Sequence, residues 1–312
     1  MTRFSKVFLR EPARGQVYLA GFGKHPAWDD HIDDIGLETD SLVIAKQVIY
    51  SEGIASQISS GVWNQLETSH HAIDFDHRFV WRRAAQCILG GIWASTDGKG
   101  RTHFPLVICL QSDGPSLGVV GRFLDPIERL GKAWKQEKTK EGVHAARNRM
   151  ASEIYAPYSR TPGEVFSLEG NPDENTFLPV LLALSAGFNG RTGSDFGTSG
   201  FHFRLPGIST GAAENLGFWA GYIDRYHHQG LPCLAIAPTG KRFVDLIAGE
   251  PQSREFFCLR ADEVALPETW TTASRSVAKR YESGARDYLQ TFRQGSDREQ
   301  KHSWWSRLIS GL

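Results

Sequence analysis

Residues Val17 to Asp34 read VYLAGFGKHPAWDDHIDD. The first part, Val17 to Gly23, is short, apolar and closed by glycines, the pattern of a strand that runs into a sharp turn. Behind it, Gly23 to Asp34 packs a lysine, a proline, two histidines and four aspartates into twelve positions. Residues of these types suit either a loop locked beside a sheet or a metal site.

Working outward, the apolar positions Leu42, Ala45, Val48, Ile49, Ala55 and Ile58 recur at helical spacing, with Asp40 or Ser41 placed to cap the first turn. The runs Arg78 to Arg83, Cys87 to Ser95 and Phe104 to Leu110 are short and rich in β-branched or aromatic residues, and DGKGR (Asp97 to Arg101) forms a turn before the third. They are expected to pair in one sheet. Further on, the pattern predicts a helix over Phe177 to Ala186, a loop over Asn189 to Gly200, a strand at Phe201 to Leu205 and a helix at Ala212 to His228. A strand at Leu231 to Ala237, a helical turn or two at Arg242 to Ala248 and a last strand at Glu255 to Arg260 follow. Strands alternating with helices argue for a layered α/β sandwich around a mixed central sheet.

Three divisions are expected: a basic arm over residues 1–16, an α/β domain over 17–262, and a polar, partly helical tail over 263–312 with a helix near Ala278 to Phe292. The chain closes on SWWSRLISGL, where Trp304, Trp305, Leu308, Ile309 and Leu312 would line one side of a short helix suited to docking on a partner or back on the domain.

Thirty-five basic and thirty-five acidic side chains cancel in a chain of 312 residues, which removes the broad positive field that nucleic acid or anionic membranes attract. Six Lys or Arg against two Glu between Lys132 and Arg149 read as a solvated helix face. No run approaches the roughly 18 apolar residues of a membrane span, and the N-terminus lacks a secretory apolar core, so a cytoplasmic location is expected. Cys87, Cys109, Cys233 and Cys258 are far apart, without a CxxC pair, and are expected to be buried thiols.

Three chemical patterns compete. His25, Asp29, Asp30, His31, Asp33 and Asp34, with His70, His71, Asp74, Asp76 and His77, offer ligand types for zinc or manganese, and the two clusters at 25–34 and 70–77 would together make a metal-dependent hydrolase. Neither has a spacing with known mechanics, and carboxylates ahead of a helix also serve as caps. Gly207 to Gly211 spells G-x-S-x-G between a strand and a helix, the setting of a nucleophile elbow at Ser209. The later histidines, His227, His228 and His302, are badly placed for a triad, which leaves Ser209 or Thr210 as a helix cap. The glycine-rich stretches DGKGRTHFP and NGRTGSDFGTSG lack a phosphate-loop spacing, although Arg101 and Arg191 would suit a phosphorylated partner.

Two separated motifs agree on a resemblance. AGFGKHPAWDD resembles the signature G-[WF]-x-G-K-x-P-x-x-G-D-F of TagF (ImpM) proteins, which accompany bacterial type VI secretion systems, through Gly23, Lys24, Pro26 and Asp30. DGKGRTHFPL resembles the family's D-x-x-G-R-x-F-P-L through Asp97, Gly100, Arg101, Phe104, Pro105 and Leu106, with one extra residue before the phenylalanine. Trp63 and Trp81 resemble the family's intervening tryptophan segment and strand. The likeness is clear from Val17 to Leu130 and fainter to Arg260; His25, Asp29 and His31 depart from the motif. The resemblance implies an α/β sandwich and a non-enzymatic regulator, without cofactor or catalytic residues, that acts after translation through a scaffold carrying a forkhead-associated domain. In that reading Lys24 and Arg101 pair with carboxylates such as Asp30 and Asp97 to lock the loop beside the sheet, with a partner surface as its second role.

Overall fold

The computed structural model describes residues 16–83, 86–155, 172–188, 201–226, 232–270 and 275–296. Its centre is one seven-stranded sheet: β1 (Tyr18–Gly23), β2 (Asp76–Arg83), β3 (Gln86–Trp93), β4 (Leu106–Ser112), β5 (Phe201–Pro206), β6 (Cys233–Pro238) and β7 (Phe243–Ala248), in the order β1-β4-β3-β2-β6-β7-β5. The layered α/β class is the expected one, but the sheet is not mixed: every pairing is antiparallel. The connections from β2 to β3 and from β6 to β7 are of hairpin length, and a chain that turns back so quickly can only lay its strands antiparallel.

Both faces of the sheet are covered, so β1, β4, β6 and β7 are buried along their whole length. On one face lie α1 (Asp40–Ala45), π-helical turns over Lys46–Ile54, α2 (Ala55–Ser60) and α3 (Val62–Thr68), with a short 3₁₀ helix at Ser253–Leu259. Their Leu42, Ile49, Ile54, Trp63 and Phe256 pack on Phe22, Phe79, Trp81, Ile236 and Ile247 of the strands. On the other lie α4 (Ser116–Gln136), α5 (Lys140–Tyr155), α6 (Glu174–Phe188), α7 (Ala212–Tyr226) and α8 (Arg275–Ser296), with Phe123, Trp134, Leu184, Trp219 and Tyr288 on Leu89, Ile108, Val244 and Leu246. The predicted C-terminal helix is α8, and its Ala285, Tyr288, Leu289 and Phe292 are buried in this second core.

Two elements differ from their sequence reading. The stretch Arg242 to Ala248, read as a helical turn or two, holds strand β7 from Phe243 onward; a strand buried on both faces has no alternation of polarity to betray it. Glu255 to Arg260, read as a strand, is the end of the 3₁₀ helix at Ser253–Leu259 with its C-cap, Arg260. There the Glu255 side chain accepts from the Gln252 N–H at 2.5 Å and caps the turn, a use that a short apolar run does not announce.

Local chemistry explains the elements nearest the motif. Thr39, rather than the expected Asp40 or Ser41, caps α1, its hydroxyl accepting from the Leu42 N–H at 3.3 Å and donating to Gln111 of β4. Asp224 of α7 accepts from the first free amides of α4, at 2.6 Å from Ser116 N and 3.4 Å from Leu117 N, and Arg82 donates to it at 2.8 Å. Among the described residues no helix is long and apolar enough to cross a membrane.

Candidate functional site

Gly23, at the end of β1, has φ +106°, and a Cβ there would collide with the Pro105 carbonyl. Only glycine lets the chain turn at this point while the Lys24 N–H donates to that carbonyl at 3.1 Å. The chain doubles back, with a bridge between Lys24 and His31 and an Ile32 N–H donated to the Gly23 carbonyl at 2.8 Å. Seventy-three residues along, Asp97 to Arg101 forms its own turn: Gly100, at φ +78°, donates to the Asp97 carbonyl at 2.9 Å. Gly98 N–H then donates to the Trp28 carbonyl at 2.6 Å and joins the two segments.

Asp97 is the hub. Its buried carboxylate accepts from Lys24 Nζ at 2.8 Å and Arg101 Nε at 2.6 Å, and from the backbone amides of Lys99 and Arg101, both at 3.0 Å. Burial works to raise its pKa, but the bonds from Lys24, Arg101 and the amides outweigh that and hold it well below the usual carboxylate range. Lys24 Nζ reaches Asp30 as well, at 2.5 Å, and this bond is the first cause holding the Asp30 carboxyl down. Arg101 closes the ring through Nη2, which donates to the Asp29 carbonyl at 2.8 Å and to Asp30 at 3.2 Å. The Lys24 side chain is 4% exposed and Asp97 is enclosed, whereas Asp30 is 69% and Arg101 52% exposed. Two cations and two carboxylates thus form a charge-balanced clamp with a buried half and a half that faces solvent beside the exposed residues Lys99, Gly100, Thr102 and His103.

The other motif residues support this clamp. Phe104 packs at 5.3 Å from His31 and 5.7 Å from Tyr50 between ring centroids, while Pro26 is half-buried and Pro105 buried. Buried His25 accepts from the Ala27 N–H through Nδ1 at 3.0 Å, which leaves Nε2–H to donate to the Trp134 carbonyl at 2.7 Å. It therefore ties the loop to the end of α4, and burial lowers its pKa. Trp63 packs edge-on to Phe75 and Trp81 is fully enclosed in the sheet, so both are core residues. Trp304 and Trp305, like His227, His228, His302 and Arg191, lie outside the described residues.

The side chains of the two His/Asp stretches have partners of other kinds. Asp33 accepts from Trp28 Nε1 at 3.0 Å and Asp34 pairs with Lys46 at 2.5 Å; His71 pairs with Asp262 at 3.0 Å and Asp76 with Arg78 at 2.8 Å. Among the described residues their ligand atoms do not converge in threes. Ser209 is likewise part of a turn: its Oγ accepts from the Gly211 N–H at 2.9 Å, and Asn215 brackets its backbone on both sides, Oδ1 accepting from its N–H at 3.2 Å and Nδ2 donating to its carbonyl at 3.1 Å. Among the described residues no histidine or carboxylate bonds to the Ser209 hydroxyl. The four cysteines are buried and free, as expected.

One polar centre escaped the sequence reading. Arg204 of β5, 1% exposed, donates to both Asp245 oxygens at 2.9 and 2.8 Å and to the carbonyls of Cys258, Ala261, Asp262 and Leu266, with its guanidinium 3.9 Å from the centroid of the Phe243 ring. His202 Nε2 lies 2.8 Å from Asp245 Oδ1. The signal was available: Arg204 in FHFRLP and Asp245 in FVDLIA are lone charges inside apolar strands.

The molecule is therefore a layered α/β protein that carries, at the end of β1, a charge-balanced loop clamp. No family model matches the chain, and no curated protein does. Among solved structures it is similar to the crystal structure of PA0076 from Pseudomonas aeruginosa PAO1, with 20% identity, a TM-score of 0.34, and coverage of 45% of this chain and 64% of that one. The chain thus spans somewhat less than two thirds of the length of that neighbour.

Proposed function

We propose that this chain is a non-enzymatic regulator of the TagF (ImpM) type, acting in the cytoplasm on a type VI secretion system or a related machine by binding a scaffold that carries a forkhead-associated domain. One observation carries the reading. The residues on which the resemblance rests, Gly23, Lys24, Pro26 and Asp30 on one side and Asp97, Gly100, Arg101, Phe104 and Pro105 on the other, meet in one loop clamp. That the matched residues of two separated motifs bond to one another supports the reading. The outward half of the clamp, Asp30 and Arg101, is the part a partner meets; the inward half, Lys24 and Asp97, sets its shape.

Capture of the tagged chain from its native cells at physiological salt, with a tag-only control and mass spectrometry, tests this. The expected result is enrichment of a protein with a forkhead-associated domain, reduced by Asp30→Lys in a variant with unchanged circular dichroism. Absence of any secretion-system component above the control, or capture indifferent to Asp30→Lys, refutes the reading.

A further inference from the structure

Away from the clamp, three segments bring ligand atoms together on one face of the sheet. His202 of β5, Asp245 of β7 and Cys258 of the 3₁₀ helix at Ser253–Leu259 each offer an atom within 4.8 Å of the others. The β5–β7 register sets Arg204 opposite Asp245 and His202 opposite Ile247, which puts His202 and Asp245 diagonal on the same face. Cys258 reaches that face from above, where it is buried with Ile236 and Ile247.

We propose that His202, Asp245 and Cys258 form a binding site for one divalent cation of the zinc class. Thiolate and imidazole are the donors that select zinc over calcium or magnesium, and one carboxylate completes a three-residue set of the kind zinc accepts in tetrahedral coordination. Arg204 fixes the carboxylate by two hydrogen bonds, the orienting role that groups behind a ligand play at metal sites. Binding breaks the hydrogen bond that His202 Nε2–H donates to Asp245 Oδ1: the ring takes its Nδ1–H tautomer, which frees the Nε2 lone pair for the metal, and the Cys258 S–H releases its proton to solvent as the sulfur–metal bond forms. No electron moves.

A second observation points to the same place. His77 of β2 is fully buried on this face, and among the described residues neither of its ring nitrogens has a hydrogen-bond partner. Buried polar groups of this kind call for a specific explanation, and His77 faces the same side of the sheet as Asp245, on β2 and β7 to either side of β6. A cation held by three side chains has a fourth position to fill, by water or by a further ligand. A bound ion would join the edge of the sheet to the 3₁₀ helix above it. This inference is independent of the regulatory reading.

The test uses the full chain stripped with chelator and dialysed, then titrated with Zn²⁺ alone in competition with a chromophoric chelator, and in parallel with Co²⁺ followed by absorption. Uptake of about one Zn²⁺ per chain and a thiolate-to-cobalt charge-transfer band are expected. Both should be lost, with affinity at least about 100-fold weaker, in Cys258→Ser and in His202→Gln, since even groups behind the ligands cost about 10–100-fold. His202 is partly exposed, so His202→Gln keeps the test decisive should Cys258→Ser fail to fold. No uptake by the wild type, uptake without the thiolate band, or uptake unchanged by His202→Gln overturns the proposal and leaves the cluster a buried ion pair with a neighbouring thiol.

Discussion

Replacing Arg204 with leucine in metal-free protein removes the donors from a carboxylate that has no access to water. Asp245 and Arg204 are each 1% exposed, and the substitution takes away two hydrogen bonds to the carboxylate and those to four backbone carbonyls. Breaking a buried pair from one side costs about 3–5 kcal/mol, because the stranded charge keeps its desolvation penalty without its compensation. At about 2–4 °C per kcal/mol for a chain somewhat smaller than this one, the melting temperature should fall by about 6–20 °C. The loss should also depend on pH. Burial works to raise the Asp245 pKa, but His202 and Arg204 outweigh it and hold it low in the native protein. A depressed carboxylate contributes stability that is present above the ordinary Asp value near 4 and is lost as pH falls through the lower folded value. Without Arg204 the same carboxyl protonates more readily, so the gap between wild type and variant should be widest near neutrality and narrow on acidification. Urea unfolding at several pH values measures it. The double variant Arg204→Leu with Asp245→Leu should lie closer to wild type than Arg204→Leu alone, since it removes both charges. A loss below about 1 kcal/mol, a pH-independent gap, or simple addition of the two single effects would refute the argument.

Arg101→Ala should lower the melting temperature by much less than Arg204→Leu, because Arg101 is half exposed and solvent screens its pairs; equal losses would show that exposure does not govern these arginines. Asp97→Asn should destabilise at neutral pH and progressively less as pH falls below about 4, since Asp97 is held low in the fold; a gap constant from pH 7 to 3 would contradict that. Gly23→Ala should cost about 1–3 kcal/mol in urea unfolding, because φ +106° and the Pro105 carbonyl leave no room for a Cβ, and an unchanged midpoint would refute it. Thr39→Val should cost about 1–2 kcal/mol by removing the cap of α1 and the donor to Gln111, with a neutral result counting against the capping role. A fluorophosphonate probe should leave the wild type unlabelled; labelling abolished by Ser209→Ala would revive a nucleophile that the turn geometry assigns to structure.

The sequence by itself determined the layered class, the strand before Lys24, the strands from Arg78 to Leu110 and the helix beginning at Asp40, because β-branched runs and helical spacing are local signals, although the cap of that helix is Thr39 and not the Asp40 or Ser41 its sequence suggested. It also named the clamp: lysine, arginine and two aspartates stand beside turn glycines, and opposite charges on rigid loops have few better partners than one another. What the sequence left open was decided at a distance. Whether His25 is a ligand or a tie to Trp134, whether Ser209 meets a base or only Gly211, and whether Arg242 to Ala248 is a helix or a strand each depend on groups many residues away. The centre of Arg204, His202, Asp245 and Cys258 is the clearest case. Its members come from two strands and a 3₁₀ helix, and only the register of β5 on β7 and the fold of Ser253–Leu259 over the sheet turn lone charges in apolar runs into one site.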